Sequence, residues 1–73
     1  MRFTGKMLKE YVNNHNKNAG DVYPRVELRV FGGYYHIWTV GEQWRIADEE
    51  RPIEALHKMQ MFMDGIRWYY QTH

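Results

Sequence analysis

RVELRVFGGYYHIWTVGEQWRIA, residues 25–47, alternates apolar and polar positions around two glycine corners. Gly-Gly suits a type I′ turn and Gly-X a type II′ turn, the two whose twist matches a hairpin. Turns at Gly32-Gly33 and Gly41-Glu42 therefore predict a three-stranded antiparallel meander. In that register Phe31 faces Tyr34, Arg29 faces His36, Glu27 faces Trp38, Val40 faces Gln43 and Trp38 faces Arg45. Successive side chains of a strand point to opposite faces, so one face collects Val26, Leu28, Val30, Tyr35, Ile37, Thr39, Trp44 and Ile46. That face is almost wholly apolar and is the expected core wall. The other collects Arg25, Glu27, Arg29, Phe31, Tyr34, His36, Trp38, Val40, Gln43, Arg45 and Ala47, a mixture of rings and charges. After Ala47 the run Asp48-Glu49-Glu50-Arg51-Pro52 is expected to stop the sheet.

Working outward, Thr4 has the side chain of a helix N-cap, with Phe3 placed to pack on Leu8 as a hydrophobic staple. A first helix is expected from about Gly5. Its stripe is Met7, Leu8, Tyr11, Val12 and His15, and its asparagine-rich end frays between Asn16 and Gly20 into solvent. Pro24 lacks an N–H and suits the start of a strand. On the far side, Pro52 at a first helical position and the acids before it open a second helix, to about Tyr70. Ala55, Leu56, Met59, Phe62, Met63, Ile66, Tyr69 and Tyr70 share its broad apolar face. Met61, Gly65 and Trp68 line up outside that stripe. Glycine in mid-helix costs about 1 kcal/mol relative to alanine, so Gly65 either admits another backbone, from the first helix or a second copy, or is merely tolerated. The expected architecture is an α+β two-layer sandwich in the order helix, three-stranded antiparallel meander, helix, with both helices on one sheet face.

Seventy-three residues suffice for one domain, 1–73, near the size at which a single core is only just adequate. There is no cysteine, so nothing demands an oxidising compartment. A net charge of +1 argues against both an acidic nucleic-acid mimic and a strongly basic binder. The amino terminus lacks the apolar run of a signal peptide, and no stretch has the length of a membrane span, which points to a cytoplasmic protein with no membrane association. Twelve rings make up 16% of the chain, a large share that serves either to fill a small core or to make a contact surface.

Catalysis finds little support in the residues. His15, His36, His57 and His73 are spread evenly, without the close-spaced pairs of a metal site. The chain has no serine, and its carboxylates fall mostly in turns or at a helix start. Gly32-Gly33 precedes a strand, so it lacks the helix terminus that phosphate loops use. A non-enzyme without metal or cofactor is expected.

The outer sheet face is the candidate site. Trp38 lies at its centre between Glu27 and Arg45, with Tyr34, His36 and Phe31 toward one end and Arg29 alongside. Exposed clusters of Trp, Tyr and Arg usually mark contacts. The alternative is that Arg45 lies over Trp38 as a cation–π pair and the ring is covered by its own neighbours. A protein partner fits the mixed charge. Single-stranded nucleic acid is the second choice, with bases on Trp38, Tyr34 and Phe31 and phosphates on Arg25, Arg29 and Arg45. Self-association through Met61, Gly65 and Trp68, or through the outer face, would give a homodimer, and either sheet edge is open to strand addition.

Three segments also carry a resemblance: Thr4-Gly5-Lys6 opening a helix with Leu8, the strand Gly33-Tyr34-Tyr35-His36, and a closing helix with Ala55, Met59, Phe62 and Gly65-Ile66. Along most of its length the chain resembles a group of small proteins from tailed bacteriophages and prophages, mostly of unassigned function. The resemblance implies a setting, that of phage-encoded binders that inhibit or redirect a host or defence protein in the host cytoplasm. It implies no catalytic or binding residues.

Overall fold

The computed structural model describes residues 2–20, 23–41 and 44–72, with side chains to Tyr69. Its elements are α1 (Gly5–Asn18), β1 (Val26–Phe31), β2 (Tyr34–Thr39), β3 (Arg45–Glu49) and α2 (Pro52–Thr72). The strands form one antiparallel sheet in the order β1-β2-β3. Leu8 and Val12 of α1 and Ala55, Leu56, Met59 and Met63 of α2 close over Val26, Ile37 and Ala47. Both helices thus cover one face of an α+β sandwich. Leu8, Ile37 and Met59 are wholly buried, each worth about 1.5–3 kcal/mol in apolar burial.

The first corner follows the expected chemistry. Gly32 and Gly33 have φ of 60° and 77°, the left-handed pair of a type I′ turn, and β1 pairs with β2 from Phe31↔Tyr34 to Val26↔Thr39. Across the second corner the Thr39 N–H donates to the Trp44 carbonyl at 3.0 Å, and Trp38 stands opposite Arg45. The Glu42 half of that turn and the Val40–Gln43 pairing lie outside the described residues.

Beyond Arg45 the alternation breaks. Ile37 pairs with Ala47 while Trp38 pairs with Arg45, so Ile46 is the extra residue of a β-bulge. Ala47, expected outside, is therefore turned inward and buried. The strand does not stop at Ala47 but runs on to Glu49, pairing Asp48 with His36 and Glu49 with Tyr35. The physical reason lies in the acid. Strict alternation would aim Asp48 into the apolar face, and one inserted residue returns it to solvent while Ala47 takes the core position.

Two residues assigned to the core wall lie outside it. Val30 is 59% exposed and Trp44 61% exposed. They sit at opposite corners of the sheet, Val30 on the outermost strand beside the first turn and Trp44 beside the second, and neither belongs to the core cluster. On α2, Tyr69 is likewise exposed and outside the core cluster, which reaches only as far along the helix as Met63 and Ile66. Tyr70's side chain lies outside the description. On α1, Tyr11 is exposed while Leu8 and Val12 carry the buried stripe.

The asparagine-rich end of α1 is not simply solvated. The Asn16 amide donates to the Val26 carbonyl and its carbonyl accepts from the Val26 N–H, both at 2.8 Å. One side chain thereby imitates a neighbouring strand and ties α1 to the first residue of β1. Beside it, His15 Nε2 lies 2.9 Å from the Pro24 carbonyl. At the other end of α1, Thr4 Oγ1 accepts from the Met7 N–H at 3.2 Å, and a Cβ placed on Gly5 would come within 2.5 Å of the Tyr35 hydroxyl. Glycine lets the helix start lie directly on β2.

Candidate interaction surface

The outer face is built from cross-strand pairs. The register puts Phe31 beside Tyr34, Arg29 beside His36 and Glu27 beside Trp38; the second hairpin puts Arg45 beside Trp38 as expected, and the bulge adds Asp48 beside His36. All seven residues singled out from sequence, Trp38, Arg45, Arg29, Tyr34, His36, Phe31 and Glu27, are thus brought onto one surface.

They are held by one another. The His36 ring stacks on Phe31 with centroids 4.2 Å apart and planes at 17°, and its Nδ1 lies 3.1 Å from Asp48 Oδ1. Asp48 Oδ2 lies 3.5 Å from Arg45 Nη1, and the Arg45 guanidinium is 6.0 Å from the centre of the Trp38 ring, the outer limit of a cation–π contact. Arg29 donates to Glu27 Oε2 at 2.9 Å. The chain Phe31–His36–Asp48–Arg45–Trp38 runs across all three strands. His36 is thereby no independent imidazole, in contrast to His57, which is exposed.

Exposure is uneven along this chain. Trp38 is half-buried beside Arg45, whereas Phe31 is 61% and Tyr34 40% exposed. The accessible aromatic area therefore sits at the first hairpin turn, off the sheet centre. Tyr34 hydrogen-bonds the Glu50 carboxylate, and that bond, followed by the negative charge of Glu50, holds its hydroxyl above the ordinary pKa of 10.0.

Asp48 and Glu50 were the members sequence reasoning passed over. The signal for Asp48 was the clash between its charge and the inward position that strict alternation assigns it. For Glu50 no pattern was available, because it acts from a bend beyond β3. On α2, Met61 is 72% and Trp68 64% exposed, and a Cβ on Gly65 would meet nothing within 4 Å. The first helix does not approach Gly65. Among the described residues there is no group of three or more His, Cys, Asp or Glu placed to hold a metal ion, and no helix long and apolar enough to cross a membrane.

No family model matches the chain, and no curated protein or solved structure shows significant similarity to it.

Proposed function

We propose that the protein is a small non-enzymatic binding module that occludes or redirects a partner protein through the outer sheet face, with Phe31 and Tyr34 as its leading contacts. The observation that carries this reading is an exposed ring, Phe31, locked in place by a stacked histidine that is itself held by Asp48. Ordering a side chain at an interface costs about 0.5–1.5 kcal/mol, and a ring already fixed has met most of that cost before the partner arrives. Aromatic and arginine side chains are also the usual anchors of protein interfaces. The resemblance to phage proteins supplies the setting, a host or defence protein met in the host cytoplasm.

Single-stranded nucleic acid is the second reading, favoured by exposed rings next to Arg29 and Arg45. Its weakness is electrostatic. Arg29 is engaged by Glu27 and Arg45 by Asp48, so phosphates would have to displace carboxylates already in place.

The test is affinity capture from bacterial lysate with wild type beside Phe31→Ala/Tyr34→Ala and Trp38→Ala/Arg45→Ala. Partners retained by wild type and lost by the first pair support the reading. Identical partner sets for all three proteins overturn the site. Oligonucleotide binding at low salt that weakens steeply as salt is added would favour the second reading instead.

A further inference from the structure

The sheet has two outer strands, and they are treated differently. β3 carries the bulge at Ile46 and turns Glu49 toward Lys58 of α2, with which it forms an ion pair; both features discourage a further strand. Among the described residues β1 has a single guard, at its start. The Arg25 carbonyl accepts from Val40 of the β2 side, so odd-numbered residues of β1 direct their backbone groups inward to β2. Even-numbered residues direct theirs away from the sheet. At Val26 both outward groups are taken by Asn16. At Leu28 and Val30 the N–H and C=O groups point along the same open side, over a groove of about 390 Å³ lined by Lys9, Val12, Asn13 and Asn16.

We infer that this edge pairs with β1 of a second copy, antiparallel about a two-fold axis at Arg29, to make a continuous six-stranded sheet. In that register Leu28 of one protomer stands opposite Val30 of the other, twice. The four hydrogen bonds formed use each outward N–H and C=O of Leu28 and Val30. Asn16 marks the limit of the pairing. The residue that would stand opposite Val26 is the partner's Gly32, where the chain turns out of the sheet, so the asparagine amide fills the place the incoming strand leaves empty.

Charge is compatible with the same register. Arg29 meets the partner's Arg29 across the axis, an unfavourable pairing by itself. Each arginine, however, is drawn along its own strand to its own Glu27, 2.9 Å away, and the two strands run in opposite directions. The guanidinium groups are therefore pulled apart, and the four side chains sum to zero charge. Glu27 of each protomer then lies opposite Phe31 of the other. The dimer joins the two aromatic patches on one wide surface.

Sedimentation velocity over a concentration series tests this, with Val30→Pro as the decisive variant. The Val30 N–H points away from β2, so proline there removes an interface donor and adds a ring in the path of the second strand while sparing the internal ladder. Wild type is expected to dimerise with a dissociation constant on the order of 10–100 µM, the weak end expected of a small interface. Val30→Pro and Val30→Lys are expected to be monomeric at the same concentrations with an unchanged circular dichroism spectrum. Trp68→Ala is expected to dimerise as wild type does. A wild type that stays monomeric throughout, or a dimer that survives both Val30 variants or is lost with Trp68→Ala, overturns the proposal. If Val30→Pro fails to fold, Val30→Lys decides alone.

Discussion

The two faces of the sheet are made by the same three strands and hold their side chains in opposite ways. On the inner face Val26, Ile37 and Ala47 are sealed by aliphatic and thioether side chains from the helices, so order there comes from close packing. On the outer face none of the described residues of other elements covers the strands, and order comes from directional pairs: Phe31 on His36, His36 to Asp48, Arg29 to Glu27. Packing stabilises strongly and leaves no free surface. Exposed ion pairs contribute little to stability, typically about 0–1 kcal/mol, yet they hold rings in fixed positions in water. The difference teaches that the fold depends on the packed face, while the proposed recognition surface is ordered by directional pairs alone.

The sharpest way to break that division is to cut into each face. Ile37→Ala, at a position with no exposure, is expected to cost about 2–5 kcal/mol, a large part of what so small a domain possesses, read as a fall in the urea midpoint. A cost below about 1 kcal/mol would mean the core is elsewhere. Asn16→Ala is next. It removes two hydrogen bonds that satisfy Val26 and should cost about 1–3 kcal/mol, with amide exchange at Val26 accelerating more than exchange in α2. Equal acceleration everywhere would deny the clamp its local role.

On the outer face Phe31→Ala should change stability by no more than about 0.5 kcal/mol while removing the leading contact for the proposed partner. A large loss of stability instead would make the ring structural. Gly65→Ala, with nothing within 4 Å of the new methyl, should stabilise by up to about 1 kcal/mol, visible as a higher thermal midpoint. The subtlest effect is ionic. Tyr34 keeps its proton to a higher pH than an ordinary tyrosine because its hydroxyl bonds Glu50. A raised folded-state pKa stabilises below the ordinary value of 10.0 and ceases to do so as pH rises through the raised value. Ultraviolet titration should show the Tyr34 phenol ionising above its ordinary value, and Glu50→Gln should bring it back toward that value.

Much of this was legible in the chain. Two glycine corners in an alternating run are a local code, because only a few turn geometries join antiparallel strands and glycine admits their positive φ. Thr4 and Pro52 mark helix starts for equally local reasons, and the grouping of Phe31, Tyr34, His36 and Trp38 on one face follows from the period of two. Three features needed the third dimension. The bulge at Ile46 depends on how the core accepts Ala47 and rejects Asp48, a balance between strands and helices that no window of sequence contains. The shielding of Trp38 and the exposure of Phe31 depend on which neighbour reaches which ring. The Asn16 clamp joins residues ten apart across a loop, and an amide bonded to a strand edge is written identically to one bonded to water. Local propensity chose the elements and the register of the first hairpin; long-range packing set the bulge in β3 and decided which side chains were left facing the solvent.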